Sequence, residues 1–306
     1  MRIQNINDQR SKPVLFVKSK GLPAILCFLF VVFNISGCGN LPQGRYGQEA
    51  VKIAVMPAYS TAAMSAKYLP LLDRLSKETG YDVQYISAEN LAGFGAAIEN
   101  SGAQFVICDP LIALSLIKTK NSFPLVIVQD ESGSANTFGL IVTTISQYNA
   151  GINEIRKLGD QTICCASRQS AEGYISQAKL LADSGIDPAR EIRFVAIGQM
   201  DKVLSVLQSG KIAAGFIPGS LWSDSLLTCF RILGRGADVP GWVLVSLQGG
   251  HTELDEKIRD AVLSLNPAKE EDRKILLDLG IGRFITADVN QVEGFSRLAD
   301  QMKIPY

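Results

Sequence analysis

Histidine is nearly missing from this chain: His251 is the only one in 306 residues, and it stands in the polar turn "QGGHTE". A histidine-based nucleophile triad would depend on that residue, and no G-x-S-x-G elbow accompanies it. A phosphate-cradling loop of the Walker type is also lacking, because "QSGKIA" has neither a Ser/Thr after its lysine nor the upstream glycine. H-E-x-x-H does not occur, and "GIGRF" fails the dinucleotide fingerprint. None of the six cysteines has CxxC spacing, so no zinc site is expected. The pair Glu270–Glu271 falls on what reads as a solvated helix face. These absences argue against an enzyme, and neither a cofactor nor a metal is expected. Low-complexity segments and repeats of solenoid or propeller period are missing as well.

Long apolar runs are scarce too. The one candidate, "GLPAILCFLFVVFNISG" at residues 21–37, is at the short limit for a membrane span. It follows a basic leader of Arg2, Arg10, Lys12, Lys18 and Lys20 and ends in "ISGC". A charged start, an apolar middle and a small-residue end predict an export signal over 1–37. The tetrapeptide resembles the lipobox of bacterial lipoproteins, which makes Cys38 the lipidated residue and membrane attachment the expectation. Residues 38–50 are polar and glycine-rich and read as a tether. Removing residues 1–37 takes away five basic residues and Asp8, leaving 25 basic against 29 acidic side chains. That balance provides no footprint for nucleic acid. Cys108, Cys164, Cys165 and Cys229 remain in the rest of the chain. Three of them fall in strand-like apolar runs, and buried thiols are expected there.

From Val51 onward short apolar runs alternate with helical periodicities. "VKIAVMP" reads as a strand, and Met64, Tyr68, Leu71, Leu72 and Leu75 keep helical spacing up to Gly80. A second alternating set runs through "QTICCAS", a helix carrying Tyr174, Ala178 and Leu181 on one stripe, and "AAGFIP". "WVLVSL" then returns toward the first set. The pattern predicts an α/β protein of two lobes, each a mainly parallel sheet flanked by helices, with two hinge crossings. Lobe 1 is expected over 51–142 plus 243–306 and lobe 2 over 143–242, with hinges near Thr143–Thr144 and Val239–Gly241. Such folds place ligands between domains and at the carboxyl ends of parallel strands.

The segment "ASRQSAEGYI", residues 166–175, lies at a strand-to-helix junction. The first N–H groups of a helix lack internal partners and the helix dipole favours negative charge there. Ser167, Gln169 and Ser170 are therefore candidate contacts for an anionic ligand, with an ordinary N-cap as the competing reading. Tyr59, Ser60 and Thr61, after the first strand, offer an aromatic wall and two hydroxyls. Asp109 either caps its helix or faces the cleft. Gln199 sits at another helix start. Trp222 and Trp242 read as core or interface packing.

The order "ASRQSAEGYISQAKLLADSGIDP", "FVAIGQMDKVLSVLQSGKIAAG", "VPGWVLVSLQGGHTELDEKIRDAVLSLN" and "ILLDLGIGRFITAD" resembles the phosphonate/phosphite-binding family, the periplasmic substrate-binding proteins of ABC importers. The resemblance runs over about residues 51–306. It implies a type 2 periplasmic-binding-protein fold and no enzymatic reaction. It further implies capture of a small oxyanion (phosphonate-, phosphite- or phosphate-like) or related polar solute, and delivery to an ABC permease and ATPase. The chain is then expected on the periplasmic side of the cell envelope. Met200 stands where the family commonly has histidine and Ala213 where it commonly has aspartate, and Ala171–Glu172 read as an insertion before Gly173–Tyr174. These replacements imply a more neutral pocket. They also leave a second function open, that of a sensory or adaptor lipoprotein signalling to a membrane partner.

Overall fold

A computed structural model of the chain describes residues 49–306; the predicted signal, Cys38 and nearly all of the tether lie outside the described residues. The first set of elements is β1 (Ala50–Val55), α1 (Thr61–Thr79), β2 (Asp82–Ile86), α2 (Phe94–Ser101), β3 (Phe105–Cys108), α3 (Pro110–Lys120) and β4 (Phe123–Gln129). The second is β5 (Asn136–Thr137), β6 (Gly139–Thr144), α4 (Ile145–Asn149), β7 (Thr162–Cys165), α5 (Ser176–Asp183), β8 (Arg193–Ala196), α6 (Met200–Gln208), β9 (Ala214–Pro218), β10 (Phe230–Arg235) and β11 (Val239–Pro240). The chain ends with β12 (Val243–Ser246), α7 (Glu253–Leu263), α8 (Glu270–Leu279), β13 (Arg283–Thr286) and α9 (Val289–Gln301).

Two main sheets result. One has the order β13-β4-β12-β3-β1-β2 and the other β10-β6-β9-β7-β8. Each contains a parallel trio, β3-β1-β2 and β9-β7-β8. Antiparallel strands complete both: β12 returns from the second sheet and enters between β3 and β4, and β6 lies against β9 and β10. A strand that comes back from the other lobe meets its neighbours head to tail, so the crossings themselves make the sheets mixed.

Strand alternation distributes the core. Val51, Ile53 and Val55 of β1 pack with Leu71, Leu72 and Ile258 from α1 and α7. Ala54 and Met56 point the other way, onto Phe94 and Ala113 from α2 and α3. Successive side chains of a strand face opposite sides, so one short apolar run supplies two layers of helix packing. β7 repeats the device: Ile163 and Cys165 join Tyr174, Ala178 and Leu181, while Cys164 joins Val203 and Leu207. Cys108, Cys164 and Cys165 are free and buried, whereas Cys229 is free and exposed. Burial pushes the Cys164 and Cys165 thiols up to about 12. The predicted stripe of α1 is buried except for Tyr68, and Gly80 closes the helix at φ 76°, a left-handed conformation that glycine adopts without a Cβ penalty.

The lobe boundary differs from the expected one. β6 was expected to lie mostly in lobe 1, yet it pairs along its length inside the five-stranded sheet. Thr143 is buried there and donates its hydroxyl to the Ala213 carbonyl at 2.6 Å, so Thr143–Thr144 is sheet interior rather than hinge. The crossings lie at β5 and β11 instead. They pair with each other antiparallel, Val239 opposite Thr137 and Pro240 opposite Asn136. The Gly241 amide adds a 2.9 Å bond to the Ala135 carbonyl. A Cβ on Gly241 would stand 2.6 Å from Val128, so only glycine lets the second crossing pass this close to β4.

Candidate functional site

The described residues enclose a cavity of about 550 Å³ beside the β5–β11 crossing. Its walls come from both sheets. Tyr59, Lys67 and Tyr68 belong to the β1–α1 region, Phe138 and Ser220 to the second lobe, and Trp242 to the return crossing. Tyr68 and Trp242 stack at 6.5 Å between ring centroids, with 25° between planes. Lys67 holds its ammonium 5.6 Å from the Tyr59 ring centroid and donates to the Asp278 carbonyl at 2.7 Å. Burial lowers the Lys67 pKa, and the nearby Asp278 charge opposes that shift. Lys67 is the basic residue of the lining; Asp130, Glu131 and Glu172 are the acidic ones.

Glu172 is the buried acid of this cavity, 7% exposed. The Trp242 indole N–H donates to its Oε1 at 3.0 Å, and the Thr137 hydroxyl donates to its Oε2 at 3.0 Å. Both donors belong to the crossing strands or their margin, so Glu172 ties the second lobe to the hinge. Burial raises its pKa to about 7; the two hydrogen bonds oppose this, and the Asp109 charge adds to it. Among the described residues no lysine or arginine forms an ion pair with it. Burial raises the Tyr59 hydroxyl strongly, with the Glu172 and Asp201 charges adding to the effect, and so Tyr59 stays a neutral donor and acceptor.

Of the predicted contacts, Tyr59 lines the cavity and the others do not. Ser60 caps α1 by accepting the Ala63 amide at 3.4 Å, and Thr61 is the exposed first residue of that helix. Ser170 is buried and accepts the Gly173 amide at 3.1 Å. It begins a π-helical turn, Ala171–Ile175, that runs on into α5. Ser167 is half-buried and accepts the Gln169 amide at 3.0 Å, and Gln169 is exposed. Gln199 precedes α6 without a side-chain cap, its side-chain Oε1 buried and without a partner among the described residues. Arg168 lies over the Tyr174 ring at 5.4 Å, a cation–π contact.

Asp109 takes the capping alternative and adds a contact to the second lobe. Its Oδ1 caps α3, accepting the Leu111 amide at 2.9 Å and the Ile112 amide at 3.3 Å. Its Oδ2 reaches across to the second lobe and accepts the Ala171 amide at 2.7 Å. The residue is fully buried. Burial raises its pKa to about 6, against three backbone hydrogen bonds and the Ser170 hydroxyl, all of which favour the ionised form. The helix start proposed for an external anion therefore holds one of the chain's own carboxylates.

Glu172 and Trp242 are the residues that sequence reasoning missed. Glu172 had passed as half of an insertion and Trp242 as packing. An acid in the first turn of a helix is also what dipole complementation favours, so its position alone carries no signal of a cavity. Their pairing spans 70 residues of sequence and no local pattern reports it.

Two α/β lobes joined by paired crossings around an inter-lobe cavity define a two-lobed binding protein of the periplasmic type. Solved structures share this fold. A binding protein component of an ABC phosphonate transporter from Pseudomonas aeruginosa matches with a TM-score of 0.73 at 16% identity, over 84% of this chain and 87% of that one. PhnD1 from Prochlorococcus marinus, solved with methylphosphonate, gives the same TM-score and identity over 83% of this chain and 98% of that one. Among curated proteins, the phosphate-import protein PhnD of Mycolicibacterium smegmatis is 21% identical over 205 residues, a match covering 63% of this chain and 63% of that protein's length. The family described as "ABC transporter, phosphonate, periplasmic substrate-binding protein" matches residues 53–292. The chain belongs to that family, which is one of transport proteins rather than enzymes and works outside the cytoplasm. Among the described residues no helix is long and apolar enough to cross a membrane.

Proposed function

We propose that the chain is the substrate-binding component of an ABC importer. It captures a small oxyanion (phosphonate-, phosphite- or phosphate-like) or related polar solute in the inter-lobe cavity and presents the closed form to a permease and ATPase. The observation that carries the reading is the cavity itself, walled from both lobes and bordered by the only two crossings among the described residues. A ligand that touches both walls binds the closed arrangement better than the open one, and that difference is what drives hinge closure. The family membership supports the importer role. The phosphate import of one relative and the methylphosphonate in another support the oxyanion class.

In this reading Glu172 accepts a hydrogen bond from a protonated oxygen or nitrogen of the solute. Tyr59, Ser220 and Lys67 supply donors, and Tyr68, Trp242 and Phe138 flank its apolar part. Lobe 2 begins at β5 and ends at β11. Cys38 carries the lipid that holds the protein on the periplasmic side of the envelope. The test is a thermal-shift and calorimetric panel of phosphate, phosphite, methylphosphonate, sulfonates and small carboxylates on residues 39–306. A solute at a hundred times its dissociation constant raises stability by about 2.7 kcal/mol. A panel in which no oxyanion shifts the melting temperature removes the oxyanion reading. Globomycin sensitivity of processing, or its absence, decides the lipid anchor.

A further inference from the structure

The cavity is larger than a bare oxyanion needs, and its lining has the opposite charge preference. At about 550 Å³ it falls in the class, roughly 300–1,000 Å³, that takes up a whole organic molecule. Much of its wall is apolar. Tyr68 and Trp242 form a stacked pair, Phe138 lines the second-lobe side, and Ile281 and Phe284 line the first. Phe138 is fixed in place from behind. The Arg235 guanidinium lies 3.9 Å from its ring centroid, and a Cβ on Gly219 would stand 2.6 Å from the same ring. Arg235 is itself outside the lining and is bonded to Asp238 at 2.6 Å.

Against that wall stands an excess of acid. Asp130, Glu131 and Glu172 line the cavity, with Lys67 as the basic residue. Asp130 and Glu131 are exposed, so water weakens their field. Asp130 is further engaged by the Ser132 hydroxyl and the Ser134 amide. Glu172 is the buried acid, and Lys67 does not pair with it; the Lys67 ammonium donates to the Asp278 carbonyl instead. Each Glu172 oxygen accepts one hydrogen bond, from Trp242 or from Thr137, and a carboxylate oxygen has room for a second. A buried carboxylate without a counter-charge is costly to keep ionised, and a cation is what offsets that cost. An oxyanion brought beside it would add like charge. A neutral hydroxyl would add a hydrogen bond only. An ammonium adds a charge-assisted one, about twice as strong, and an attraction that a buried setting damps little. Cation and ring already meet in this cavity, where the Lys67 ammonium lies 5.6 Å from the Tyr59 ring centroid.

We infer that the solute of this cavity is an organic cation: an ammonium group seats against the Glu172 carboxylate, and an apolar or aromatic body lies along Tyr68, Trp242 and Phe138. The inference rests on the capture of a solute in this cavity, as proposed above, and names the charge of the group that Glu172 receives. The competing arrangement is a protonated Glu172 donating to an oxyanion, and pH separates the two. The Glu172 carboxyl titrates at about 7. Facing it are the Asp109 carboxylate, the Tyr59 and Tyr68 hydroxyls, which burial keeps neutral, and the donors Trp242 and Thr137. Asp109 titrates lower, at about 6. As pH rises through 7 the carboxylate gains population, so a cation binds more tightly and an oxyanion less tightly.

The experiment uses the form spanning residues 39–306 and three probes of one shape and different charge: phenethylamine, 2-phenylethanol and phenylacetate. Inorganic phosphate and methylphosphonate are run beside them. Calorimetry reads affinity at pH 6 and pH 8 for the wild type and for Glu172→Gln, and circular dichroism establishes that the variant is folded. The expected order in the wild type at pH 8 is amine, alcohol, carboxylate, with the amine at least tenfold tighter than the alcohol. Amine affinity should rise several-fold from pH 6 to pH 8. Glu172→Gln should remove most of the amine's advantage and leave alcohol affinity within threefold. A folded Glu172→Gln protein that keeps the advantage overturns the seat at Glu172. Binding of phosphate or methylphosphonate, with the amine no tighter than the alcohol, overturns the cation and leaves capture in the cavity standing. Absence of binding by all five compounds overturns both. If Glu172→Gln does not fold, the order of the three probes and its pH trend in the wild type decide.

Discussion

The lobes of this protein meet in two ways, at adjacent residues of one helical turn. At Ala171 the meeting is dry: a backbone amide, a carboxylate from the other lobe, and apolar neighbours such as Leu111, Tyr174 and Ile175. At Glu172 the meeting is hollow: a carboxylate held by Trp242 and Thr137 at the margin of a cavity of about 550 Å³. Both places bury an acid that forms no ion pair among the described residues. The first satisfies its acid with backbone amides and leaves nothing for a solute. The second satisfies its acid with two side chains of the hinge and keeps space beside it. The pair shows that a helix start with the right hydroxyls is insufficient evidence of a ligand site; what decides is whether the facing lobe fills it.

Breaking the hollow side should have the largest effect. Trp242→Ala removes one cavity wall, the stack on Tyr68 and the donor to Glu172. Loss of stability of about 3 kcal/mol is expected in a chemical melt, together with loss of detectable solute binding by calorimetry. An intact binding isotherm would place the solute elsewhere.

The pH dependence of stability probes both acids together. Their folded pKa values, about 6 for Asp109 and about 7 for Glu172, lie above the ordinary values of 3.8 and 4.5. Between the ordinary and the raised values the folded state holds more protons than the unfolded one. Stability therefore falls as pH rises through that window. The melting temperature should be higher at pH 5 than at pH 8, by several degrees, measured in buffers of matched ionic strength. Glu172→Gln should remove the slope between about pH 6 and 7 and reduce it between about 4.5 and 6, where the remainder belongs to Asp109. An unchanged slope in that variant would show that Glu172 is not the group titrating.

Smaller effects separate capping from binding. Ser170→Ala removes the acceptor of the Gly173 amide and should cost about 1 kcal/mol of stability, with little change in solute affinity, because Ser170 does not line the cavity. Thr137→Val removes one of two donors to Glu172 and should cost about 1 kcal/mol or less, with affinity reduced a few-fold. If Ser170→Ala lowers affinity more than Thr137→Val, the distinction between the dry and hollow sides is wrong.

Most of the fold was legible because its signals are local. The stripe Met64, Tyr68, Leu71, Leu72, Leu75 and the stripe Tyr174, Ala178, Leu181 are periodicities within single helices, and the structure buries all of them except Tyr68, which lines the cavity. The misplaced hinge at Thr143–Thr144 has a physical cause. A strand that crosses between lobes and one that lies inside a sheet have the same apolar alternation, and only the partners of β6 tell them apart. At the site, Tyr59 was legible as an aromatic at a strand end facing the cleft. Asp109, an acid before Pro110 at a helix start, was legible only as one of two alternatives, a cap or a cleft residue, and the structure shows the cap. Its second role was not, because the amide it meets lies 62 positions away.

The sequence by itself determined where helices begin and end, which faces are apolar, and the family to which the order of its motifs belongs, since each depends on neighbours within a few residues. Tertiary structure alone decided which helix start is filled and which acid borders open space. Those outcomes depend on what the opposite lobe brings within hydrogen-bonding distance, and such contacts are set by how the two sheets close on each other.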